Sequence, residues 1–217
     1  MTPFAFQSPE QVRQAIPAVA AHLERGGLLA YPTETVYGLG SRPRQADVAA
    51  LAALKGRRKD KPFLLLVSSR GMVEGCGLVF TEAATALANA FWPGPLTLVL
   101  AGGEGRLPDL LRGPEGGIAV RSTGHAGVAQ LVEALGFPIT STSANIPGGP
   151  TAPGASAIAA TFSVAVANGT LLVLDGGTLG NVPPSTVVDC TRAQPRLIRE
   201  GAIPKSELRR RAGSAAP

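Results

Sequence analysis

Short apolar runs alternate with longer amphipathic ones along most of this 217-residue chain. The apolar runs are strand-sized: Leu28–Tyr31, 63–67 (FLLLV), Leu96–Leu100, 118–121 (IAVR) and 171–174. Between them, residues 9–25, 45–55, 81–91, 125–135 and 155–162 carry apolar positions at helical spacing. Strands interleaved with helices on this scale pack as a sheet with helices against it. The expected class is therefore α/β, with a single twisted sheet flanked by helices. Two closing strand candidates, 185–190 and 195–199, stand only a turn apart. A hairpin of that kind makes the sheet mixed rather than all parallel.

Local punctuation supports the helix assignments. Ser8, Pro9 and Gln11 form a capping-box pattern ahead of Val12, Ile16, Val19 and Leu23. Pro17 interrupts that run and is expected to kink or restart the helix. Thr81 and Glu82 open another helix, and Gly136 stops the one over 125–135. Residues 102–117 are rich in Gly and Pro and read as a loop, and Arg209–Arg211 as a short frayed terminal helix. One domain spanning 1–217, with its core at about 9–203, is expected.

Several function classes are excluded early. The two cysteines, Cys76 and Cys190, are too few and too far apart for a disulfide scaffold or a CxxC site, and both read as buried small hydrophobes. Residues 134–174 carry no charge, but Pro138, Pro147, Pro150 and Pro153 break them up, so no membrane span is expected. No basic stretch followed by an apolar run opens the chain, and a soluble, cytoplasmic protein is expected. The pattern GxxxxGK[ST] is missing, as are GxGxxG after a strand and GxSxG. His22 and His125 are the only histidines, which argues against a Ser-His-Asp triad or a transition-metal site. The net charge of +5 favours anionic partners without choosing among them.

Chemistry-bearing residues concentrate in four loops at strand ends, where α/β folds bind ligands. The first, 32–40 (PTETVYGLG), holds two threonine hydroxyls, a carboxylate and a phenol. In the second, 55–62 (KGRRKDKP), five of the seven residues 55–61 are basic, more than a helix C-terminus needs. Such a cluster suits a polyphosphate, because Lys and Arg neutralise oxyanions and Arg binds them bidentately. The third, 141–145 (STSAN), offers hydroxyls and an amide that can hold anionic oxygens or simply form an ST turn. The fourth places Ser185 and Arg199 on neighbouring strands, where an edge strand with surface charge is the plainer reading.

In this order and spacing the segments resemble the threonylcarbamoyl-AMP synthase family, the proteins with the YrdC-like fold. The likeness runs from about Gly27 to Gly201 through YPTETVYGLG (31–40), KGR with a downstream KP (55–62), WPGPLTLVL (92–100), AVR (119–121), TSAN (142–145), STVVD (185–189) and REGAI (199–203). The resemblance implies a twisted sheet around a basic cavity, in the short form without an extra C-terminal domain. It implies an enzyme, an L-threonylcarbamoyladenylate synthase, that uses ATP, L-threonine and bicarbonate or CO2 and releases pyrophosphate. The product serves threonylcarbamoyladenosine modification of tRNA through separate transferase proteins. The threonine amine captures CO2 as a carbamate, which attacks the α-phosphate, so catalysis rests on positioning and charge stabilisation.

Residue by residue, the likeness puts Lys55 and Arg57 on the phosphates as the catalytic pair. Lys61, Ser143, Asn145, Thr151 and Arg199 become further ATP contacts. Thr33 or Thr35, Arg121, Ser141 and Ser185 would hold threonine, with Arg121 on its carboxylate. Mg2+ is expected to arrive with ATP, since the chain offers no dense carboxylate site, and no protein-borne metal is expected. Lys55 and Arg57 are read as loop cations, so alanine at either should stop turnover without unfolding the protein.

The chain departs from the family pattern in three places. Arg58 follows KGR where Pro is usual, Leu66 stands where a His is frequent, and Ser122-Thr123 replaces a residue followed by Pro. Two other readings fit the same residues: a paralogue of this fold with different carbamoyl or adenylate chemistry, and an RNA-binding protein using the basic cluster and Arg209–Arg211. The basic cluster also allows direct RNA binding alongside the synthase activity.

Overall fold

The structure, a computed structural model, describes residues 2–56, 62–180 and 182–217. The strands are β1 (Phe4–Ala5), β2 (Leu28–Tyr31), β3 (Gly38–Gly40), β4 (Leu64–Val67), β5 (Leu78–Val79), β6 (Leu96–Gly102), β7 (Ile118–Ser122), β8 (Ile139–Ser143), β9 (Leu171–Asp175), β10 (Thr186–Asp189) and β11 (Arg196–Arg199). The helices are α1 (Pro9–Glu24), α2 (Gln45–Lys55), α3 (Arg70–Gly75), α4 (Glu82–Phe91), α5 (Ala126–Leu135), α6 (Ala155–Thr161), α7 (Ser163–Ala167) and α8 (Lys205–Ala212).

Helix boundaries follow the side-chain chemistry at their ends. The Gln11 N–H donates to Ser8 Oγ at 3.3 Å while Gln11 Oε1 accepts from the Ser8 N–H at 3.2 Å, closing the capping box. Helix α1 runs unbroken through Pro17. The amide that Pro17 lacks would have bonded the carbonyl of Arg13 on the exposed side, whereas Val12, Ala15, Val19 and Leu23 stay buried on the other. Gly56 ends α2 and Gly136 ends α5, both in the left-handed region at φ 58° and 70°.

The strands join in one mixed sheet in the order β1-β9-β2-β3-β8-β4-β7-β6-β10-β11, with β5 paired off this path to β6. Parallel and antiparallel neighbours alternate irregularly. Strands β4 and β7 are parallel, for example, and β8 runs against both β3 and β4. Close strand approach in the middle depends on glycine: a Cβ at Gly40 would stand 2.1 Å from the Thr140 carbonyl oxygen.

Strand alternation sorts the apolar side chains onto two faces. Leu28, Ala30, Leu65, Val67, Leu98, Val120, Leu171 and Val173 enter one core with residues of α2, α4, α6 and α7. Leu29, Tyr31, Leu66, Ile139, Leu172 and Leu174 enter a second with α1 and α5. Each fully buried aliphatic side chain contributes about 1.5–3 kcal/mol.

The expected α/β class with a single mixed sheet holds. Five short strands and helices have no counterpart in the sequence reading: β1, β3, β5, α3 and α7, with β3 inside the segment 32–40 read as a loop. Cys190 is buried, and burial pushes its thiol up to about 12. Cys76 is only half-buried, a correction to its expected place in the core. Among the described residues no helix is long and apolar enough to cross a membrane.

Candidate active site

Register collects the polar residues on the sheet face that α1 and α5 cover elsewhere. Paired residues on adjacent strands point to one face. Gly38 pairs with Ser143, Leu64 with Ser141, Leu66 with Arg121, Thr97 with Val187, and Val187 with Arg199. Leu66 belongs to the α1/α5 core, so Ser141, Arg121, Thr97 and Arg199 follow it onto the same face. The face turns polar along β8, from Ile139 in the α1/α5 core to Ser141 and Ser143, and across the sheet from Leu66 on β4 to Arg121 on β7.

Arg121 is the charged centre of this face, with 4% of its surface exposed. A buried guanidinium needs a counter-charge. Glu34, from the loop after β2, supplies it with Oε2 at 2.8 Å from Nη2. Burial raises the Glu34 carboxyl, but Arg121, the Thr123 hydroxyl and the Gly124 amide outweigh it and hold the group below the usual carboxylate range. Thr35 Oγ1 stands 3.4 Å from both Nη1 and Nη2 of Arg121. Thr33 Oγ1 lies 3.1 Å from Thr35 Oγ1 and donates to the Val36 carbonyl at 2.6 Å. Both threonine hydroxyls are buried.

Ser185, just before β10, places Oγ 2.8 Å from Thr97 Oγ1. Arg199 on the edge strand β11 donates through Nη2 to the Ser185 carbonyl at 2.7 Å and lies 3.4 Å from Ser185 Oγ. Its guanidinium pKa is lowered first by burial and then by repulsion from Arg121, which puts the two cations within electrostatic reach. Arg199 is exposed on the edge strand, as a surface charge would be, and its guanidinium borders the face through Ser185.

A second group gathers where β8 ends. Lys55, the last residue of α2, is 5% exposed. Its ammonium donates to the Ser143 carbonyl at 2.6 Å, to Asn145 Oδ1 at 2.5 Å and to the Asn145 carbonyl. Ser143 Oγ donates to Asn145 Oδ1 at 2.6 Å, and Asn145 Nδ2 donates to the Gly149 carbonyl at 2.7 Å. The reading of Lys55 as a loop cation is therefore corrected: it is a buried helix-terminal residue with carbonyl partners. Ser141 lies on the polar face beside Tyr31, whose ring covers Gly38. Thr151 is exposed in a loop closed on β8 by the Ala152 N–H to Ala144 carbonyl bond of 3.2 Å. Arg57 and Lys61 lie outside the described residues.

The two histidines serve the scaffold. His22 Nε2 is 2.8 Å from the Leu28 carbonyl oxygen, and His125 caps α5 by accepting from the Val128 N–H at 3.3 Å. Among the described residues no three His, Cys, Asp or Glu side chains gather to hold a metal ion. Sequence reasoning left Glu34 without a partner and overlooked Thr97. The Glu34 pairings join residues 87 to 90 positions apart, and nothing local announces them.

The architecture is that of an α/β protein with a mixed sheet and a guanidinium-centred polar face. The chain belongs to the Sua5/YciO/YrdC family, whose model, described as "Telomere recombination", matches residues 21–201. It is 36% identical over 190 residues to the threonylcarbamoyl-AMP synthase of Pyrococcus abyssi, covering 87% of this chain and 54% of that protein. It is 41% identical over 173 residues to the threonylcarbamoyl-AMP synthase of Chromohalobacter salexigens, covering 79% of this chain and 90% of that protein. Among solved structures, P. abyssi Sua5 complexed with L-threonine superposes with a TM-score of 0.86 at 32% identity, covering 99% of this chain and 62% of that one. The chain thus spans about half the length of the first of these relatives and nine-tenths of the second.

Proposed function

We propose that this protein is an L-threonylcarbamoyladenylate synthase acting in tRNA threonylcarbamoyladenosine modification. The observation that carries the reading is the single sheet face on which Arg121, Ser141, Ser185 and Arg199 converge, beside a loop bearing Thr33 and Thr35. A buried guanidinium among short hydroxyls suits a small amino acid with a carboxylate and a hydroxyl. The likeness to named synthases, and to a Sua5 structure holding L-threonine, supports that choice of substrate.

In this reading Arg121 takes the threonine carboxylate, and Thr33 or Thr35, Ser141 and Ser185 hold its polar atoms. ATP lies toward the end of β8, against Lys55, Ser143, Asn145 and Thr151, with Arg57, Lys61 and Arg199 as further cations of a basic cavity. The threonine amine adds to CO2 and gives up a proton, forming a carbamate. A carbamate oxygen bonds to the α-phosphorus while the bond from that phosphorus to the bridging oxygen breaks, and pyrophosphate leaves. No protein nucleophile takes part, and the chain contributes orientation and positive charge. The described residues build no metal site of their own. Mg2+ enters as the ion on the ATP phosphates. The adenylate then passes to separate transferase proteins, with or without direct RNA contact by this chain.

The test is pyrophosphate release from ATP, Mg2+ and bicarbonate, with and without L-threonine, and mass spectrometry of the nucleotide products. Threonine-dependent release with a threonylcarbamoyl-adenylate mass is the expected result. ATP binding without threonine-dependent release would overturn it and favour a paralogue with other adenylate chemistry. Binding of RNA alone, steeply weakened by salt, would favour an RNA-binding role.

A further inference from the structure

Thr123 lies one residue beyond β7 and is 1% exposed. Its hydroxyl donates to Glu34 Oε2 at 2.6 Å and accepts from the His125 N–H at 3.2 Å. The other Glu34 oxygen accepts from the Gly124 N–H at 3.0 Å. Both carboxylate oxygens are therefore anchored to the turn between β7 and α5 before Arg121 is considered. Arg121 then meets Oε2 at 2.8 Å. The Thr35 contacts of 3.4 Å are long for hydrogen bonds and orient the guanidinium weakly. Glu34 is the strong constraint on Arg121, and Thr123 is what fixes Glu34.

A loose Glu34 would blur the position of the guanidinium.

We propose that Thr123 is a positioning residue for substrate: acting through Glu34, its hydroxyl sets the orientation of Arg121 and so the affinity for an α-amino acid carboxylate. The inference rests on the reading of this face as the threonine pocket. It also gives the departure at this position a physical content, because a proline has no hydroxyl to hold Glu34.

The test is steady-state pyrophosphate release by the full chain, comparing wild type with Thr123→Val, Thr123→Ser and Glu34→Gln. Valine keeps the shape of threonine and removes the donor, whereas serine keeps the donor. Thr123→Val should raise the KM for L-threonine about tenfold while KM for ATP and kcat change by less than about twofold. Thr123→Ser should restore wild-type KM, and Glu34→Gln should match or exceed the valine defect. An unchanged threonine KM in Thr123→Val overturns the proposal. So does a serine variant as impaired as the valine variant, which assigns the residue to packing, and so does an equal loss for ATP. Thermal melts identify any variant that has not folded; should Thr123→Val be one, Glu34→Gln bears the same comparison, and an unchanged threonine KM there is equally fatal. A wild type with no threonine-dependent release overturns the functional reading itself, an outcome distinct from a working enzyme indifferent to Thr123.

Discussion

Leu66 on β4 and Arg121 on β7 are register partners, and both side chains leave the same face of the sheet. Leu66 packs with α1 and α5, while Arg121 opens the polar face next to it. The pair marks one point on the boundary between the covered and the polar part of this sheet face.

That position makes Leu66→His informative. An imidazole there loses apolar burial and reaches no partner in the α1/α5 core, a cost of about 2–3 kcal/mol. Protonation would add a cation beside Arg121, so the deficit should widen as pH falls below about 6.5. Urea unfolding of wild type and variant at pH 8 and pH 5.5 measures both effects, and a variant as stable as wild type at both pH values would contradict this placement of Leu66.

Lys55→Ala should cost stability as well as turnover. The ammonium is buried against the Ser143 and Asn145 carbonyls and the Asn145 side chain, and its loss leaves those acceptors without it. A loss of about 2 kcal/mol is expected, together with a fall in pyrophosphate release of more than about a hundredfold. Lys55→Met, which keeps the length of the chain without the charge, should be as inactive. Activity in either variant can be read from initial rates at saturating ATP, and near-wild-type rates would remove Lys55 from the site.

Thr186 ties the C-terminal segment to β10. Its buried hydroxyl donates to the Ile203 carbonyl at 2.6 Å and accepts from the Gly201 and Ile203 amides at 3.0 Å each. Thr186→Val keeps the shape and strands these backbone groups, so a loss of about 2–3 kcal/mol is expected. Calorimetric melting should show a lower Tm, and a Tm equal to that of wild type would mean that water replaces the hydroxyl without cost.

His125 should give stability a pH dependence. Burial lowers its pKa from the ordinary 6.5, and the Glu34 carboxylate opposes the shift only in part. The folded state therefore resists a proton that the unfolded chain accepts. Its contribution is complete above about 6.5 and is lost as pH falls from there through the lowered folded value. His125→Asn keeps a capping acceptor and removes the titration. Between pH 7.5 and 5.5 its urea midpoint should fall less than that of wild type, and parallel slopes would exclude His125 as the source.

Much of this architecture was legible before any coordinates. The capping box at Ser8 and Gln11, the Thr81 cap, the Gly136 stop and the strands at Leu28–Tyr31 and Leu96–Leu100 (the latter running on to Gly102) all rest on neighbours within a turn or on strand-length apolar runs. Local chemistry specifies such features, so local sequence reveals them. The polar loops drew attention to Thr33, Thr35, Ser141, Ser185 and Arg199, and the family resemblance added Arg121; the fold brings these residues together around one sheet face.

Tertiary structure decided the rest. The two-residue strand β1 exists because Phe4 and Ala5 run beside Leu174 and Asp175 on β9, a pairing with no local trace. The burial of Lys55 depends on carbonyls 88 and 90 residues away. The partnership of Glu34 with Arg121 and Thr123 likewise joins two distant loops. Periodicity and caps report how a segment satisfies its own backbone. Which charge neutralises which, and which hydroxyl holds it there, is settled only when sheet register carries distant segments to the same face.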